Sequence, residues 1–211
     1  MKAVIFDVDG VISDTQKIHA RLEAEMLAQY GVTISPEELT RRFSGVSGHE
    51  MFSQIFRDAD IECPDTYELS DRKAARFLEC ADEVVEIPGT REVVVQLRER
   101  GFLLAIASAS RWASIEMVLK KLELLECFDA IASSKEVARG KPASDVFLLA
   151  ARRLSVDPKE CIVIEDGVSG MIAARVAGMR CVALAQNGQE NLPADLVVDD
   201  LRKVPLEWFK H

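Results

Sequence analysis

The chain has 211 residues, 48% of them hydrophobic and 29% charged, with a formal net charge of -9. That length suits one large domain, or a core domain with a smaller appendage. The negative balance argues against a nucleic-acid partner, which needs a basic face, and no apolar run nears the roughly 20 residues that span a bilayer. The five cysteines show no Cys-x-x-Cys spacing, so neither a zinc ribbon nor a disulfide framework is expected. The chain runs straight into an apolar strand with no signal-peptide pattern, and a cytoplasmic location is the expectation.

The first strand is Ala3 to Phe6, an apolar run that meets Asp7, Val8, Asp9 and Gly10. β-Branched residues closed by an Asp-Gly turn signal read as a buried strand ending in a tight loop. An amphipathic helix follows. Asp14 or Thr15 can cap it, apolar residues recur at Ile18, Leu22, Met26 or Leu27 and Tyr30, and Gly31 stops it. The pattern stays helical from Ser35 to Glu83, with no convincing strand. An all-helical insert this long is read as a separate small domain over residues 15–86, leaving 1–14 and 87–211 as the core.

After Pro88-Gly89 the character changes. A helix ends at Gly101, a strand ends at Ala107 and Ser108, and a helix runs from Trp112 to Leu122. A short strand at Asp129 to Ser133, a helix from Asp145 and a strand at Cys161 to Ile164 come next. That strand enters Glu165, Asp166 and Gly167; a helix then closes at Gly178, before a strand at Arg180 to Leu184. Asp195 to Asp200 is a last strand and LRKVPLEWF a tail helix. Cys161 and Cys181 open apolar runs and read as small core residues. Apolar strands alternating with helices imply an α/β fold: a doubly wound parallel sheet, covered on both faces, with an inserted all-helical domain.

Ligands of such sheets bind beyond the carboxyl ends of the strands. The residues delivered there are Asp7 and Asp9, then Ser108, then Glu165 and Asp166, with Lys141 in the loop after the third strand of the core. Singly, each has an ordinary explanation as a turn, a cap or a solvated lysine. Together they place four carboxylates, a hydroxyl and an ammonium at one edge. Carboxylates so grouped repel unless protonated or bridged, and oxygen-only ligands without His or Cys favour a hard cation, Mg2+. Asp beside such a cation can attack phosphorus, and a second Asp can move the leaving-group proton.

FDVDGV, ASASR, GKPASD and VIEDGVSG, in this order, resemble the four motifs of the haloacid dehalogenase (HAD) superfamily, in its branch of β-phosphoglucomutase and related phosphatases. The resemblance implies Asp7 as nucleophile and Asp9 as general acid/base, with the Asp9 main-chain carbonyl and the Asp7 carboxylate on magnesium. It further implies Ser108 and the Ala109 N–H on the phosphoryl group, Lys141 bridging nucleophile and phosphate, Asp166 as a metal ligand, and Glu165 as a direct or water-mediated one. Residues 15–86 match the family's mobile cap, which excludes water when closed. His19, Ser47, Gly48, Ser110 and Arg111 fall at positions expected to touch substrate. Ser144 replaces the second proline of a frequent KPxPD pattern.

Gly48 stands where the mutases carry an arginine for a second phosphate, with Arg111 and Arg41 or Arg42 as possible substitutes. The expected function is therefore a magnesium-dependent phosphatase of a small sugar or polyol phosphate, acting as a monomer. A phosphosugar mutase is the alternative. A phosphoacceptor signalling module is remote, because such modules are shorter and lack the helical insert.

Overall fold

The structure is a computed structural model that describes residues 1–185 and 191–209. Six parallel strands form one sheet: β1 (Ala3–Phe6), β2 (Leu103–Ser108), β3 (Ala130–Ser133), β4 (Cys161–Glu165), β5 (Arg180–Leu184) and β6 (Leu196–Val198). Their order is β3-β2-β1-β4-β5-β6. β1 is central, and Phe6 pairs in register with Ile106 on one side and Ile164 on the other. The order reverses between β1 and β4, and a crevice opens at such a switch point. Asp7 follows one of those two strands, and Asp166 follows the other.

The two faces of the sheet differ. Val4, Phe6, Leu104, Ile106, Ile162 and Ile164 pack on one side, with α5 (Thr90–Glu99) and α6 (Trp112–Lys121). The other face is built from smaller residues, among them Ala3, Ala105, Ala107, Ala132 and Ala183. They admit α7 (Asp145–Leu154) and α8 (Val168–Val176). Cys161 and Cys181 are free and buried on this small-residue face, as expected.

Between β1 and α5 lie α1 (Gln16–Ala28), α2 (Pro36–Phe43), α3 (Gly48–Asp58) and α4 (Thr66–Leu78). They share an apolar cluster of their own, which includes Met26, Leu27, Leu39, Phe52 and Phe56. Ile18 and Leu22 of α1 and Phe77 of α4 instead join the cluster on the sheet. The chain leaves and re-enters the core side by side: Ser13 bridges Glu86 antiparallel, Asp14 N–H donates to Val85, and Ile87 N–H to Ile12.

Three local expectations are corrected. Thr15 holds the N-cap position of α1 but makes no capping bond, because its hydroxyl is turned to Asp9. The helical stretch expected from Ser35 to Glu83 is interrupted before α4, which starts where the Asp65 carboxylate accepts from the Tyr67 and Glu68 N–H groups. The tail is two short 3₁₀ turns, Leu201–Lys203 and Leu206–Phe209, because Pro205 between them cannot continue a helix.

Candidate active site

The loop after β1 is tightly held. Asp7 N–H still donates to Ile164 of β4, and the Val8 carbonyl accepts from the Ile12 and Ser13 N–H groups. Gly10 turns this loop at φ +88°, where a Cβ would collide with the Asp166 carboxylate. Glycine there satisfies both the left-handed backbone and the close approach of β4's acidic end.

Lys141 crosses beneath this loop, and no part of its side chain is exposed. Its ammonium donates to Asp7 Oδ1 at 2.9 Å and to Glu165 Oε2 at 2.7 Å. Glu165 Oε1 accepts from the Gly167 N–H at 3.1 Å. Burial would lower the Lys141 pKa, but Asp7 and Glu165 hold it above its ordinary value. Burial first, then the charge of Glu165, pushes Asp7 up to about 8 despite the pull of Lys141. Asp166 is also raised, by burial and then by Glu165 and Asp7. One ammonium cannot neutralise three buried carboxylates.

That imbalance calls for a cation. Asp7, Glu165 and Asp166 are buried and each offers an oxygen within 4.8 Å of the others. Asp166 Oδ1 is buried without a hydrogen-bond partner. A hard cation would supply both the missing charge and the missing partner, so the residues fit magnesium.

Asp9 has different neighbours. Its Oδ1 accepts from the Thr15 hydroxyl at 2.5 Å and lies 3.1 Å from His19 Nε2, and its Oδ2 accepts from the Ser110 hydroxyl at 2.9 Å. Burial works to raise its pKa. The His19 charge and the bonds from His19, Thr15 and Ser110 outweigh burial and hold Asp9 well below the usual carboxylate range. Two carboxylates two residues apart are thus driven in opposite directions by their surroundings.

A cavity of about 790 Å³, its open mouth included, lies between the sheet edge and the helical insert. Asp7, Asp9, His19, Gly48, Ala109, Ser110 and Arg111 line it. Ser108 is wholly buried behind them and its Oγ accepts from the Ser110 N–H at 3.0 Å. Three expectations are corrected. Ser47 does not line the cavity; its hydroxyl bonds Glu50 at 2.5 Å and lies 3.0 Å from His49 Nδ1. Arg41 pairs with Glu38, and Arg42 pairs with Asp58 at 2.6 Å, so neither stands in for the arginine absent at Gly48. Arg111 does line the cavity, and its guanidinium also pairs with Asp71 on α4.

Four further residues reach the site without having been expected there. Thr15 and Gln16 read as the start of a helix, yet they lie one turn before His19 and so on the same face. Lys73 and Lys135, which nothing in the sequence singles out, also line the cavity. Lys73 is held by Glu23 at 2.7 Å, with both side chains largely buried. Burial, then Arg111 and Lys73, lowers the Lys135 pKa, with Glu50 opposing.

A Rossmann-type sheet with an acidic pocket and a lysine at its switch point, roofed by a helical insert, defines a phosphoryl-handling hydrolase. The chain belongs to the haloacid dehalogenase-like hydrolases, whose family profile matches residues 4–184. It is 33% identical over 198 residues to hexitol phosphatase B of Escherichia coli K12, across 93% of this chain and 89% of that one. It is 34% identical over 214 residues to a β-phosphoglucomutase of Bacillus subtilis, across 98% and 93% of the two chains. Its fold matches the crystal structure of CbbY from Rhodobacter sphaeroides in complex with phosphate at a TM-score of 0.88, with 26% identity over all of both chains. The expected family and fold class are borne out, and so is the enzyme class, a phosphatase of this family. Among the described residues no helix is long and apolar enough to cross a membrane.

Proposed function

We propose that this protein is a magnesium-dependent phosphatase of a small sugar or polyol phosphate, working through an aspartyl phosphate on Asp7. The observation that carries this reading is the buried Asp7–Lys141–Glu165 chain beside Asp166 at the switch point. Lys141 holds Asp7 Oδ1, leaving the other oxygen to attack phosphorus. The P–O bond to the leaving group breaks as the P–O bond to Asp7 forms. Asp9, which His19, Thr15 and Ser110 keep ionised in the free protein, must take up a proton on substrate binding before it delivers one to the departing alkoxide. Asp9 then takes a proton from water as that water attacks phosphorus; inorganic phosphate leaves and the Asp7 carboxylate returns. The Ala109 N–H, at the cavity wall, meets the phosphoryl oxygens, and Ser108 supports this loop from behind through its bond with the Ser110 N–H. Asp7, the Asp9 carbonyl and Asp166, with Glu165 adjacent, would hold magnesium, which would supply positive charge against those oxygens. Thr15, His19 and Ser110 orient Asp9.

The relative named as a hexitol phosphatase supports a polyol phosphate, and Gly48 in place of the mutase arginine supports hydrolysis. One observation favours mutase chemistry: the cations Lys73, Arg111 and Lys135 around the cavity suit a second anionic group. The Lys73 ammonium lies 3.7 Å from where a Gly48 side chain would begin, so it places charge near the missing arginine. Incubation with hexitol phosphates, hexose phosphates and β-glucose 1-phosphate separates the two. Stoichiometric release of inorganic phosphate is expected; isomerisation of β-glucose 1-phosphate without phosphate release would make the protein a mutase.

A further inference from the structure

Gln16 opens α1, the first helix of the insert, and its half-buried side chain joins insert and core. Its amide nitrogen donates to Ser44 Oγ at 2.7 Å, lies 3.3 Å from the Asp9 carbonyl oxygen, and donates to Asp166 Oδ2. Ser44 ends α2, and its carbonyl accepts in turn from the Ser169 hydroxyl of α8 at 3.0 Å. Asp166 therefore has one carboxylate oxygen claimed by the insert and the other, Oδ1, buried with no partner. A carboxylate pinned through one oxygen cannot rotate freely, so the remaining oxygen keeps a fixed direction.

We infer that Gln16 is a positioning residue through which the insert sets the metal affinity of the site. It locks Asp166 by Oδ2 so that Oδ1 faces the cation, and Ser44 locks Gln16 in turn. The inference rests on the metal reading proposed above. Because two bonds in series connect Ser44 to Asp166, metal affinity and the seating of the insert on the core become linked. By reciprocity, the cation that gains from a seated insert also stabilises it.

Calorimetric titration of the full chain with Mg2+ alone, without substrate, tests this. Gln16→Met keeps the side-chain length but donates no hydrogen bond, and should raise the Mg2+ dissociation constant by about tenfold. Ser44→Ala, whose side chain touches no candidate ligand, should raise it less. Combining the two should add nothing to the loss in Gln16→Met, since both act through one path. Unchanged or tighter binding in Gln16→Met, or fully additive losses, would overturn the inference. Asp166→Asn separates this failure from a failure of the metal reading. If wild type binds Mg2+ and Asp166→Asn does not, an indifferent Gln16→Met sinks only the role of Gln16; if wild type binds none, the metal reading falls and this inference with it.

Discussion

Lys141 sits between two buried carboxylates, and the chemistry of the site starts from that arrangement. Taking charges out of water costs several kcal/mol each unless they are paired, and here the pairing is incomplete by design of the acidic cluster. Asp7 absorbs the mismatch: its pKa rises to about 8 from an ordinary 3.8, mainly through burial and then through Glu165. The consequence for stability has a definite sign. In the absence of metal the folded chain holds the Asp7 proton more tightly than the unfolded chain does. That contribution is complete below about pH 4 and is lost as pH rises through about 8. Asp166, raised for similar reasons, acts in the same direction. Thermal melts of chelator-treated protein should therefore show the melting temperature falling across this window, with a shallower fall in Asp7→Asn. A wild-type slope matched by that of Asp7→Asn would remove Asp7 as a source of the effect.

At the scale of elements, α1 does more than connect the core to the insert. Its first turn turns Thr15, Gln16 and His19 toward the catalytic edge, while Ile18 and Leu22 pack into the sheet-side cluster. The His19 ring also stacks on Phe77 of α4, with ring centroids 4.1 Å apart, which fixes its orientation. Replacing His19 by Phe keeps a ring for that stack but removes the charge and the bond that hold Asp9 low. The Asp9 pKa should rise in His19→Phe, as followed by carbon-13 NMR of the carboxyl groups. An unmoved Asp9 titration would show that Thr15 and Ser110 suffice.

Across the whole molecule, polar contacts join the apolar packing of Ile18, Leu22 and Phe77 in holding the insert over the sheet. Arg111 pairs with Asp71, Lys121 donates to Asp82 at 2.9 Å, and Ser169 donates to Ser44. Asp71 is well exposed, and exposed pairs contribute up to about 1 kcal/mol. Asp71→Ala should therefore raise KM by no more than about fivefold, and raised ionic strength should shrink the difference between the two proteins. A hundredfold loss would mean that Asp71 serves the chemistry directly.

The same scales divide what was legible in the amino-acid sequence. Strand and helix alternation from Pro88 onward carried the parallel sheet, because buried strands read as continuous apolar runs. Asp7, Asp9, Ser108, Lys141, Glu165 and Asp166 could be found because each follows such a run or precedes a helix. Gln16, Lys73 and Lys135 could not, since a polar side chain on a helix or loop carries no mark of which surface will cover it. Ser47 shows the converse. It stands in the expected segment, but neighbouring Glu50 and His49 take its hydroxyl.

A nucleophilic Asp7 becomes covalently phosphorylated during turnover. Rapid acid quenching during turnover of a hexitol phosphate, followed by borohydride reduction and peptide mass spectrometry, tests it directly. An aspartyl phosphate is reduced to homoserine, so the product should appear at position 7 in wild type and be absent in Asp7→Asn, which should also lose turnover. Homoserine at another aspartate, or full turnover by Asp7→Asn, would rule out Asp7 as the nucleophile.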